Sequence, residues 1–73
     1  MKITRVNGVR AAYDAFCTDI GIGGIGLETE IALRAGQVIE FDFPGHEDCM
    51  LHYRARILHR EGKHYGAYFL DVG

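Results

Sequence analysis

Two stretches of this chain alternate apolar and polar residues with a period of two. In residues 37–43, Ile39, Phe41 and Phe43 fall on one side and Val38, Glu40 and Asp42 on the other. In residues 49–60, Leu51, Tyr53, Ala55 and Ile57 share one side, and His52, Arg54, Arg56 and Leu58 share the other. That period belongs to a half-buried β-strand, because successive side chains of an extended backbone point to opposite faces. A helix would scatter the same residues around its circumference, so these stretches predict strands.

The rest of the chain agrees. Asn7-Gly8 is a strong hairpin signal, since both residues tolerate the positive φ that a two-residue type I′ turn demands. It separates residues 2–6 from residues 9–13, predicted to pair, with the second strand running on towards Cys17. Glu61-Gly62-Lys63 predicts another turn, followed by a final strand over residues 64–72 rich in Tyr and Phe. Pro44-Gly45 ends the strand before it, and His46-Glu47-Asp48 reads as polar loop. Between these lies Asp19-Ile-Gly-Ile-Gly-Gly-Ile-Gly26, with four glycines in residues 21–26. Glycine at that density excludes a helix interior. The expectation is a sharply turning loop with Ile20, Ile22 and Ile25 pointing inward. Residues 28–35 fit either a short helix or an extended connection, because Thr29 and Ile31 are β-branched.

Short strands at close spacing with turns between them predict an all-β fold: a small six-stranded antiparallel β-barrel, closed or nearly so. At 73 residues the chain is expected to be a single domain over residues 1–73 with a small core. The net charge of −2 argues against nucleic acid or an anionic membrane as partner. No apolar run approaches the roughly 18 residues that span a bilayer, and no apolar signal region follows Met1. The expected location is the cytoplasm. Cys17 and Cys49 are too few for a disulfide scaffold and are expected in or near the core.

Several chemistries can be weighed on residues alone. Gly21-Ile-Gly23-Gly-Ile-Gly26 satisfies the G-x-G-x-x-G dinucleotide pattern, but that pattern works only between a parallel strand and a helix, and the chain is too short for a doubly wound sheet. His46, Cys49 and His52 are spaced like metal ligands, yet Cys49 and His52 should face opposite sides of a strand, and a fourth ligand is not evident. Serine catalysis is impossible, since the chain contains no serine. No catalytic signature surrounds either cysteine. His52, Arg54, Arg56 and Arg60 could form a basic stripe with Tyr68 for stacking, against the acidic balance of the whole. No enzyme activity, cofactor or metal is expected.

The passage Asp19-Ile-Gly21-Ile-Gly-Gly24-Ile-Gly-Leu27 resembles the Asp/Asn-x-Ser-x-x-Gly motif of the PilZ domain family, with Gly21 in the place of the serine. Leu33-Arg-Ala-Gly36-Gln-Val-Ile-Glu-Phe, Leu51-His-Tyr-Arg-Ala-Arg-Ile-Leu and Tyr65-Gly66-Ala-Tyr-Phe69-Leu-Asp are similar to the family's later strands in the same order. The resemblance covers residues 14–72. It implies a six-stranded barrel, a non-catalytic bacterial signalling module, and cyclic di-GMP as ligand. Its partners would be proteins of motility, adhesion or polysaccharide export, and a homodimer is a further option.

The resemblance also implies ligand residues, and two are altered. Asp19, Gly21 and Gly24 take the motif positions. The motif serine would add a hydroxyl donor and acceptor, where Gly21 supplies backbone alone. The family's upstream Arg-x-x-x-Arg pair grips phosphate through planar, charged forks. Here only Arg5 and Arg10 are available, one residue too far apart and inside the first hairpin. The ligand site thus reads as incomplete. The expected role is a regulatory adaptor acting by protein–protein contact; the alternative is a cyclic di-GMP receptor that uses Arg5 and Arg10, or Arg54 and Arg56, as non-standard arginines.

Overall fold

In the computed structural model, which describes residues 1–44 and 49–72, Asn7 and Gly8 turn the chain with φ of 50° and 80°. Val6 stands opposite Val9, so the turn is the two-residue primed type its dipeptide predicts. It joins β1 (Lys2–Val6) to β2 (Val9–Asp14). Asn7 also anchors the hairpin sideways: its N–H donates to the Val38 carbonyl at 2.7 Å, and its Oδ1 accepts from the Val38 N–H at 2.9 Å.

The second strand does not run unbroken towards Cys17. It is interrupted at Ala15, 4% exposed, whose N–H donates to the Met1 carbonyl at 3.0 Å and whose carbonyl accepts from the terminal ammonium at 2.9 Å. Beyond it come β3 (Phe16–Ile20), β4 (Gly24–Glu28), β5 (Val38–Pro44), β6 (Met50–Glu61) and β7 (His64–Val72). The expected six strands are therefore seven: the second is split at this buried corner, and the passage read as a turning loop contributes the end of β3 and the start of β4.

All pairings are antiparallel, and the sheet order is β2-β1-β5-β6-β7-β4-β3. Strands β2 and β3 end this order at opposite edges, yet only Ala15 separates them in the chain. A sheet can meet both conditions only by curling round until its two ends touch. The result is barrel-like, brought together by a covalent corner while the ladder itself stays open.

The inward face carries the alternation read from the sequence. Ile3, Leu27, Ile39, Phe41, Ile57 and Tyr65 are buried to 1% exposure or less. Phe41, Tyr53 and Phe69 form an aromatic cluster with ring centroids 5.3–6.5 Å apart, a spacing at which aromatic rings attract. Val38, Glu40 and Asp42 are on the outer face, as expected.

Residues 29–37 form no helix. Apart from the Gln37 N–H, which donates to the Arg34 carbonyl at 3.1 Å, several backbone polar groups of this connection find partners in the barrel. The buried Tyr65 hydroxyl accepts from the Leu33 N–H and donates to the Ile31 carbonyl, both at 2.9 Å. Thr29 Oγ1 donates to the Asp14 carbonyl at 2.9 Å. One buried phenol thus ties the connection down over Leu33, itself 2% exposed.

Three expectations are corrected. Ile25 points inward, but Ile20 is half exposed and Ile22 fully exposed, because they lie on an edge strand and at the tip of a hairpin. Cys17 packs against the core, whereas Cys49 is exposed. Leu51 lies at an exposed strand end. The loop expected at His46-Glu47-Asp48 lies outside the described residues.

Candidate functional site

The glycine-rich passage folds as a hairpin, with β3 and β4 joined through Gly21-Ile22-Gly23 and the Gly21 N–H donating to the Gly24 carbonyl at 2.9 Å. This brings Asp19, Gly21 and Gly24 together along an open groove of about 380 Å³ on the barrel surface, which Leu58, His59 and His64 also line.

Its floor is low because β4 and β7 place Gly26 opposite Gly66. A Cβ on Gly24 would sit 2.5 Å from the Ala67 carbonyl oxygen, a backbone atom that cannot swing away, so the ladder here requires glycine. The His59 ring lies over Gly66, where an added Cβ would come within 2.6 Å of it. The groove is flanked by two irregularities, in β3 between Cys17 and Asp19 and in β6 between Ile57 and His59. Such bulges re-aim side chains, and the second leaves Leu58 55% exposed.

The chemistry of this groove is that of a hydrogen-bonding surface with one carboxylate, Asp19. Thr18 Oγ1 and His64 Nε2 are 2.8 Å apart. The Asp19 carboxylate has no hydrogen-bond partner among the described residues and is free to accept from N–H groups. Gly21 offers backbone only. No arginine or lysine lines the groove, whose nitrogen-bearing side chains are the imidazoles of His59 and His64.

The arginines considered with this motif are on the other hairpin. Arg5 and Arg10 are directly opposite one another on β1 and β2, both exposed, and neither lines the groove. Across the outer face the register continues from Arg5 to Glu40 and from Glu40 to Arg54. Beside this row, His52 Nδ1 lies 2.9 Å from Asp42 Oδ1 and His52 Nε2 lies 2.9 Å from Glu40 Oε1. Ionised carboxylates only accept, so both ring nitrogens must donate and His52 is an imidazolium. The Asp42 carboxylate first, then that of Glu40, raises its pKa above the ordinary 6.5.

No local sequence signal marks Leu58, His59 or His64 as groove residues. Leu58 and His59 reach it through a bulge, which leaves no trace in the apolar–polar alternation. The direct opposition of Arg5 and Arg10 was readable, because a two-residue turn at Asn7-Gly8 pairs residues 6 with 9 and therefore 5 with 10.

Among the described residues no group of three or more His, Cys, Asp or Glu is placed to hold a metal ion, and no helix is long and apolar enough to cross a membrane. Cys17 Sγ contacts the Asp19 carbonyl at 3.4 Å rather than a histidine.

Comparison with the curated proteins and with the solved structures found no match. The sequence profile of the PilZ domain matches residues 2–73, essentially the entire chain. The motif strand order, the antiparallel all-β sheet and this match agree, and the chain belongs to the PilZ domain family, whose members are modules of cyclic di-GMP signalling.

Proposed function

We propose that this chain is a non-catalytic regulatory adaptor that works through contact with a protein partner, its cyclic di-GMP site having been lost. The carrying observation is the composition of the groove at the family motif: glycine stands in the serine position and no arginine or lysine lines it. Charge-assisted contacts to phosphate contribute about 1.5–3 kcal/mol each, and the groove has no guanidinium fork in its walls to make them. Meanwhile Phe16, Ile20 and Ile22, on β3 and its turn, are 74%, 51% and 104% exposed. Apolar exposure of that kind on an edge strand marks an interaction surface. The partner would belong to motility, adhesion or polysaccharide export, the processes this family serves, and the protein would act in the cytoplasm.

A photo-crosslinking residue at Ile22, compared with one at Gly62, tests the adaptor reading in cells. The expected result is one protein crosslinked from position 22 and absent from position 62. No position-dependent crosslink would count against it.

One observation favours a second reading, a cyclic di-GMP receptor with non-standard arginines: Arg5 and Arg10 lie side by side across the hairpin, as two phosphate-gripping forks would. Loss of nucleotide binding in Arg5→Ala plus Arg10→Ala is what this reading requires.

A further inference from the structure

Arg5 and Arg10 present a problem that the fold does not solve. They face each other directly across β1 and β2, and like charges at directly opposite positions destabilise a sheet. Neither guanidinium has a hydrogen-bond or ion-pair partner among the described residues. The acids that could relieve them are engaged elsewhere. Glu40, the other cross-strand neighbour of Arg5, gives its Oε1 to His52 at 2.9 Å. Asp42 gives its Oδ1 to the same ring at 2.9 Å, and Asp14 is bonded to Lys2 at 2.6 Å.

The hairpin is held firmly while carrying this repulsion. Its type I′ turn is fastened to β5 by the two Asn7–Val38 hydrogen bonds of 2.7 and 2.9 Å, so the guanidinium forks stand on a fixed support.

We infer that the Arg5–Arg10 pair is a docking site for an acidic segment of the partner protein, whose carboxylates take the two forks. The inference rests on the adaptor reading and adds the surface and the chemistry of the partner. Paired carboxylates match two adjacent guanidinium groups in both charge and geometry. A long polyanion such as nucleic acid is disfavoured, because the chain carries a net charge of −2 and Glu40 stands directly across from Arg5.

The test has two parts. The first is a heteronuclear NMR titration of the isotope-labelled chain with a hexaglutamate peptide and, separately, with cyclic di-GMP. Hexaglutamate should shift the amides of Val6–Arg10 preferentially. Arg5→Gln plus Arg10→Gln should weaken that binding at least about tenfold, and raising the salt to about 0.5 M should abolish it. Shifts spread over the surface, or unchanged in the double variant, would overturn the inference. So would hairpin shifts with cyclic di-GMP and none with the peptide. The second part is thermal unfolding. Removing one charge of an opposed pair should raise the midpoint by about 1–4 °C in Arg10→Gln, whereas a structural role for Arg10 would lower it and overturn the inference. The adaptor reading fails separately: a partner crosslinked at Ile22 that leaves the hairpin amides unshifted would keep the adaptor and sink this site, whereas hexaglutamate binding at the hairpin without any crosslinked partner would keep the site and sink the adaptor.

Discussion

The two terminal hairpins of the sheet order, β1–β2 and β3–β4, occupy matching places in the fold and are built in opposite ways. The first has a tight turn, two opposed arginines and a side anchor to β5. The second has an open Gly-Ile-Gly turn, a glycine floor and apolar residues facing solvent. In the first, backbone geometry is fixed by local turn chemistry and the outer surface is marked by charge. In the second, geometry is fixed by close packing against β7, and the surface is carried by what the side chains leave out. The opposed arginines and the motif groove thus lie on different hairpins.

The comparison can be broken most severely at the core both hairpins share. Phe41→Ala removes the ring at the centre of the aromatic cluster and should cost about 3–5 kcal/mol, enough to leave a chain of this size largely unfolded in a denaturant titration. A cost under about 1 kcal/mol would mean that the two ends of the sheet are stabilised independently.

Next in size is the contrast in glycine use. Gly24→Ala forces a Cβ against the Ala67 carbonyl at 2.5 Å and should cost about 1–3 kcal/mol by overpacking. Gly8→Ala meets no atom within 4 Å but keeps a φ of +80°, and should cost about 1–2 kcal/mol from backbone strain alone. If chemical denaturation ranks Gly8→Ala clearly above Gly24→Ala, the close-packed account of the second hairpin is wrong.

Tyr65→Phe tests what links the β4 end to the rest. It leaves the Leu33 N–H and the Ile31 carbonyl without the hydroxyl that joins them, at about 1–3 kcal/mol. Hydrogen exchange should accelerate at Leu33 more than at Asn7. Equal acceleration at both would contradict the local role given to the phenol.

The smallest effect lies on the outer face beside the first hairpin. His52 has a folded pKa raised above its ordinary 6.5 by Asp42 and Glu40. Its clamp is therefore fully stabilising below pH 6.5 and is lost as pH rises through the folded value. Between about pH 5 and about pH 9, the midpoint difference between the wild-type chain and His52→Gln should shrink as pH rises. A difference that grows with pH would reverse the sign and remove the imidazolium.

How far these features were legible depended on whether the signal was local. Asn7-Gly8 and the alternation through Phe41 announce themselves, since a turn dipeptide and a period of two need no knowledge of the rest of the fold. The second hairpin did not, because its strands contain glycine and the demand that Ile20 and Ile22 be buried assumes a strand with two neighbours. At an edge that demand lapses. Ala15 hid the strand break for the same reason: a buried corner in a curled sheet is a tertiary event, and alanine is an ordinary strand residue. Of the site, Asp19, Gly21 and Gly24 were found by motif and do share a groove, whereas Leu58, His59 and His64 enter it through a bulge and a cross-strand register that only the folded sheet supplies.

Calorimetric titration with cyclic di-GMP beside a GMP control decides whether a motif groove without arginine or lysine still holds the nucleotide. The expected result is no saturable heat at high nucleotide concentration. Saturable micromolar binding, with cyclic di-GMP but not GMP, would contradict it and restore the receptor role.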